Sequence, residues 1–242
     1  DCRMIDQLAT AYDKGTGVVM NKDEAQRWFF RGAQREEKHC LAKTGQIFIS
    51  NGKKHKEEGF VEEGNSLINQ GIQYYYHTFE MYPDYTWAKV RLFDMYIHGD
   101  GVEQNYLIAK QILEESIAND KKPRIAHFHM GLLLSGEYHC DVENYPNFPR
   151  DQIPIDRHRA FKNFVLAANF GEHRACAYVG KIYEHFPRPE NHPGYDDIVP
   201  KNLFEAFRFY EKGYRAGNDE SCLKAGMFYE NFGEYAGVIQ QD

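Results

Sequence analysis

Apolar and small residues at Ala88, Leu92 and Tyr96 recur at helical spacing and so share one face of a predicted helix. Gly99 follows where a left-handed residue closes a helix C-terminus. Gly101 and Val102 carry the chain round, and Asn105 stands where a side-chain oxygen caps the free amides of a second helix. Ala109, Ile112 and Leu113 give that second helix its own apolar face. A single helix–turn–helix unit of this kind cannot bury both of its faces, so the pattern predicts neighbours of the same design.

The unit recurs along the chain. With Tyr96 as anchor, its counterparts are Tyr12, Phe48, Leu134, Tyr183 and Tyr229. Eight residues before the anchors, Cys40, Ala88, Ala126, Ala175 and Ser221 are small, with Met4 the exception. Three residues before them, Ala9, Gly45, Gly131, Gly180 and Gly226 are small, with Phe93 the exception, and small residues here let helices approach closely. The second helices align on Ala25, Gly71, Ala109, Ala160 and Ala206. Four residues earlier stand Asn21, Leu67, Asn105, Asp156 and Asn202, and all but Leu67 are good N-caps. Asn21 with Glu24, and Asn202 with Glu205, have the spacing of a capping box. The expected fold is all-α, about eleven helices arranged as five pairs and a sixth first helix. The units of this single array fall at about 1–37, 38–84, 85–122, 123–172 and 173–218, with a half unit at 219–242.

Leu8, Tyr12, Gly15, Gly17, Val18, Ala25, Trp28 and Ala33 in the first unit resemble the Sel-1-like repeat family, a relative of the tetratricopeptide repeat. Ala175, Gly180, Tyr183, Ala206 and Gly217 carry the same resemblance in the fifth unit. It covers nearly the whole chain and implies a right-handed superhelical solenoid of antiparallel helix pairs. It also implies, as the usual role, a scaffold or adaptor that binds other proteins, and some bacterial members are immunity proteins or host-interaction factors.

The spacing from anchor to second-helix small residue is 13 in units one and three, but 23, 26 and 23 in units two, four and five. All three insertions fall in the turn within a pair, so they are expected along one edge of the array, which in stacked repeats is often a binding edge. Gly52 to Gly64 is Lys- and Glu-rich and reads as a solvated insertion, whereas Gly136 to Pro154 and Phe186 to Pro200 carry Pro, Tyr, Phe and His and read as ordered loops that pack together. Asp1 falls inside a first helix, and the tail from Gly237 resembles a turn leading into a further helix. The tail from Gly233, or a second chain in a homodimer, is expected to cover the apolar face around Leu223, Phe228 and Phe232.

A formal charge of -7 with mixed signs gives no electrostatic footprint for nucleic acid, and no apolar run approaches the roughly 18 residues of a membrane span. Five cysteines do not make a disulfide framework. Cys176 and Cys222 occupy near-equivalent places on helices expected about 8–10 Å apart, too far for easy bridging. Reduced, buried thiols are expected, which leans towards the cytoplasm, with a periplasmic or secreted location the alternative if a signal segment was removed. His127 and His129 are two apart and point to different helix faces. His139, Cys140, His185 and His192 lack the tight spacing of a zinc site. No metal, cofactor or catalytic motif is read from the chain, and a hydrolase remains only a minor alternative.

The more informative positions lie opposite the packing face of the first helices, at about 100° per residue. In tetratricopeptide arrays this is the concave surface. It carries Trp87, Val90, Asp94 and Ile97 in the third unit and Ile125, Phe128, Leu132 and Ser135 in the fourth. The first and fifth units place charges there instead, among them Arg3, Asp6, Asp13, Arg174, Lys181 and Glu184. An exposed apolar strip of Trp87, Val90, Ile97, Ile125, Phe128 and Leu132 between charged flanks is what a groove for a protein or peptide partner requires. The expected function is therefore a non-enzymatic scaffold or adaptor, with a toxin-neutralising inhibitor acting through its long turn loops as the alternative.

Overall fold

The computed structural model of the protein describes residues 2–136, 148–149, 151–185, 195 and 198–230. Among these every regular element is a helix: α1 (Cys2–Lys14), α2 (Lys22–Ala33), α3 (Lys38–Glu57), α4 (Val61–Met81), α5 (Thr86–His98), α6 (Tyr106–Asn119), α7 (Arg124–Ser135), α8 (Arg157–Asn169), α9 (His173–Glu184), α10 (Leu203–Arg215) and α11 (Asp219–Glu230). None of the described helices is long and apolar enough to cross a membrane. The chain divides into two compact units, Asp1–Lys121 with α1 to α6 and Lys122–Asp242 with α7 to α11. Within each unit every helix packs on its neighbours in the chain, as stacked antiparallel pairs. The small positions eight residues before the anchors, Cys40, Ala88, Ala126 and Ala175, are all buried.

Four of the pairs are closed by one shared device. The cap residue's amide donates to the anchor carbonyl, Asn21 to Tyr12 at 3.0 Å, Asn105 to Tyr96 at 2.9 Å, Asp156 to Leu134 at 2.9 Å and Asn202 to Tyr183 at 2.9 Å. The cap side chains then accept from the first turns of α2, α6, α8 and α10. The device tolerates nine intervening steps of chain in two units and about twice that in the other two, because only the two ends of the turn need to meet. It also excludes the reciprocal half of the capping box: the amides of Asn21 and Asn202 are already spent on Tyr12 and Tyr183, and Glu24 and Glu205 pair instead with Arg27 and Arg208. Asn105→Ala removes the oxygen that holds the Leu107 and Ile108 amides. It is expected to cost about 1 kcal/mol, read as a lowered midpoint in denaturant unfolding.

The second pair departs from the expectation. Gly52 to Gly64 is largely exposed, as a Lys- and Glu-rich stretch should be, but it is the end of α3, a short turn and the start of α4, so the extra residues lengthen both helices. Leu67 is consequently inside α4 and caps nothing, while Phe60 stands before the helix with no side-chain cap. Four glycines explain the extension. A Cβ on Gly45 would lie 2.9 Å from the Gly71 carbonyl oxygen, and one on Gly52 would lie 2.6 Å from that of Gly64. Two turns of helix separate the glycines in each strand of this seam, so α3 and α4 meet backbone to backbone twice along their length.

The fourth and fifth pairs use one glycine and one large side chain. Phe164 of α8 lies on Gly131 of α7, and Tyr210 of α10 lies on Gly180 of α9, each with ring carbons 2.5–3.0 Å from where a Cβ would stand. In the third pair the sizes are exchanged: Phe93 replaces the glycine and Leu113 takes the aromatic place, and both are buried. A half-buried polar link reinforces the last helices, with the Tyr210 hydroxyl donating to Glu184 at 2.6 Å and Lys224 pairing with the same carboxylate at 3.0 Å.

The described parts of the two aromatic-rich insertions turn inward, burying Phe148, Ile153, Tyr195 and Val199. His185 donates from Nε2 to the Val199 carbonyl at 2.8 Å, so it holds the turn. His139, Cys140 and His192, like the tail from Gly233, lie outside the described residues. Cys176 is buried, and burial pushes its thiol up to about 11, so it stays protonated. Cys222 is exposed rather than buried, since α11 packs on α10 through Ser221, Ala225 and Phe228. On the same helix Leu223 is 67% exposed.

Candidate partner-binding face

The six residues of the expected strip divide between the two units. In the first unit Trp87 and Val90 are half-buried on α5, but Ile97 is fully buried. The turn after α5 folds back on that end of the helix, with the Gln104 side chain donating to the Ile97 carbonyl at 2.7 Å. In the second unit Ile125 and Leu132 are half-buried on α7, and Phe128 is only 5% exposed. Residues of α9 lie across Phe128: Tyr178 edge-on at 6.1 Å and the Arg174 guanidinium 4.6 Å from the ring centroid. Ile97 and Phe128 are therefore packing residues, and the exposed apolar strip does not exist at those two places.

The surface that does open in the first unit is largely polar. A cleft of about 340 Å³ runs between α1, α2 and α3, with Ala25, Phe29 and Ile47 beneath and Asp13, Lys43, Gln46, Ser50 and Asn51 around it. A second, of about 200 Å³, lies on the other side of α3 and is lined by Tyr75, Arg91, Asp94 and Met95 among others. Gln46 and Ser50 border both clefts. The Gln46 oxygen accepts from Lys43 Nζ at 3.1 Å, which leaves the amide's two N–H groups for an incoming acceptor.

Trp87 stands between helices with two cations against its ring, Lys43 Nζ at 5.4 Å and the Arg91 guanidinium at 5.5 Å. Tyr75 packs edge-on to it at 6.1 Å, and burial raises the Tyr75 phenol above its ordinary range. Burial also holds the Lys43 ammonium below the usual lysine value. This mixture of indole, cations and carboxylates was visible in sequence only at Trp87, Asp13 and Asp94. Gln46, Ser50 and Lys43 were missed because they line the clefts from the second pair, whose groove positions were not singled out.

Asp6, Glu37 and Cys40 bring one potential metal-ligand atom each to within 4.8 Å of the others. Glu37 is already the cap of α3, accepting from the Cys40 amide at 3.0 Å, and Asp6 pairs with His39. Burial, and the charges of Asp6, Glu37 and Cys40, push the nearby Tyr85 phenol up to about 12. In the second unit His127 is bonded through Nδ1 to Asn163 at 2.8 Å and stacks on Phe170 at 5.9 Å. That places it in the α7–α8 packing.

The family model for the Sel1 repeat matches residues 6–36, 88–120 and 191–218. Among solved structures, a Sel1 repeat protein from Oxalobacter formigenes superposes with a TM-score of 0.65 at 19% identity, over 95% of this chain and 78% of that one. A protective antigen of uropathogenic Escherichia coli strains, described as having an SLR fold, aligns over 96% of this chain and 50% of its own at 19% identity, with a TM-score of 0.48. No curated protein matches the chain.

Proposed function

We propose that this chain, three segments of which match the Sel1 repeat, is a non-enzymatic scaffold that takes an extended segment of a partner protein along the α1, α3 and α5 faces of its first unit. The observation that carries this reading is the pair of clefts flanking α3, joined through Gln46 and Ser50 and lined by Lys43 and Arg91, the two cations that stand against the Trp87 ring. An extended peptide exposes backbone donors and acceptors at every residue, and amide and hydroxyl side chains answer both. Trp87 supplies the large anchor that a short interface needs. Asp13 and Asp94 against Lys43 and Arg91 provide charges of both signs to set the peptide's direction. Val90 extends the contact beside Trp87, and Ile125 and Leu132 offer half-buried apolar surface for a contact of the same kind on the second unit.

Selection of a phage-displayed random-peptide library on the immobilised protein tests this. Recovered peptides are expected to lose roughly 30-fold in affinity to Trp87→Ala, the effect of removing an anchor of about 2 kcal/mol, with a smaller loss in Gln46→Ala and unchanged helical circular dichroism in both. Failure to recover any peptide, or equal binding by wild type and both variants, would overturn the reading.

A further inference from the structure

Seven residues before the anchor, the first helices carry Ile5, Leu41, His127, Cys176 and Cys222, but α5 carries Lys89. Lys89 is only 5% exposed. Its ammonium donates one hydrogen bond, to the Pro83 carbonyl at 2.8 Å, and stands 5.9 Å from the centre of the Phe79 ring. An ammonium has three donors, so this buried group has capacity to spare. Burial holds it below the usual lysine value, while Asp120, Glu115 and Asp84 act on it as attractive charges.

Lys89 borders a cavity of about 460 Å³ between α4, α5 and α6. Tyr76, Phe79 and Ile112 supply its apolar and aromatic wall, and Glu80 and Glu115 also line it. Both glutamates are exposed, so the cavity has its cation deep and its carboxylates at the mouth. A simple anion would meet Lys89 only after passing two like charges. A simple cation would leave the buried ammonium unanswered. The charge order fits a molecule that carries both signs and an apolar group.

We propose that this cavity is a binding site for a free α-amino acid with an aromatic or large apolar side chain. Its carboxylate takes the open donors of Lys89, its side chain packs on Tyr76, Phe79 and Ile112, and its ammonium faces Glu80 and Glu115. This site stands apart from the Trp87 clefts and does not depend on the peptide reading.

Isothermal titration calorimetry with L-phenylalanine as the probe tests the assignment. Saturable binding of one equivalent is expected, with L-phenylalaninamide, which lacks the carboxylate, at least roughly tenfold weaker, as befits loss of a charged hydrogen bond. Lys89→Met should show the same loss at unchanged helical circular dichroism. Glu80→Gln, a change at an exposed position, should weaken L-phenylalanine but leave N-acetyl-L-phenylalanine unaffected. No heat with L-phenylalanine, equal binding of the amide, or full binding by folded Lys89→Met overturns the site. If Lys89→Met does not fold, the comparison of acid with amide on the wild-type chain decides. N-acetyl-L-phenylalanine binding as tightly as the free amino acid overturns the zwitterion and points to a carboxylate such as a peptide C-terminus.

Discussion

Phe164→Ala is expected to lower the stability of the second unit by about 4 kcal/mol, in the range for truncating a buried phenylalanine. Phe164 has no exposed surface. Its ring lies 4.6 Å from that of Tyr178 and 5.9 Å from that of Phe128, and it rests on Gly131. Gly131 has no side chain to move into the space, and the two aromatic neighbours are themselves held, Phe128 under Arg174. The cavity left behind therefore cannot collapse easily, and that is the condition under which the cost reaches its upper range. Denaturant unfolding followed by circular dichroism measures it. A loss below about 1 kcal/mol would mean that the Phe164–Gly131 contact is not a close-packed core.

Gly71→Ala should lower the stability of the first unit by about 2 kcal/mol, although alanine is the better helix former by about 1 kcal/mol. The new Cβ would stand 2.6 Å from the Gly45 carbonyl oxygen and 2.6 Å from Ile49 Cγ1. The oxygen belongs to backbone, so relief requires α3 and α4 to part along the seam, and overpacking of this kind costs about 1–3 kcal/mol or more. Steric cost thus outweighs propensity. Both tryptophans, Trp28 and Trp87, lie in the first unit, so indole fluorescence during denaturation reports its unfolding directly. A variant as stable as wild type, or more so, would show that the two helices do not approach backbone to backbone.

Much of the fold was legible because its determinants are local. A cap, an anchor and a small residue each act within a turn or two of helix, so Asn21, Asn105, Asp156 and Asn202 could be placed from spacing alone, as could the buried Ala88 and Ala175. The same spacing put Asp94 on a cleft wall and Trp87 against Lys43 and Arg91, which line the two clefts. The signal for the long second pair was also present, as Gly45, Gly52, Gly64 and Gly71. Its meaning depends on which glycines face each other, and that is a contact between helices.

The amino-acid sequence by itself determined the all-helical repeat, the starts of the four capped second helices and the small positions, since hydrogen bonding within a turn and the period of the helix decide those. Tertiary structure decided whether a given residue on the right face is open or covered. Ile97 is fully buried and Phe128 lies beneath Tyr178 and Arg174, while Lys89, in a position filled elsewhere by Ile5 or Leu41, is buried beside the Phe79 ring. Burial is a property of neighbours brought from other helices. Periodicity along one helix fixes only the direction in which a side chain leaves it, and what stands in that direction is set when the helices pack.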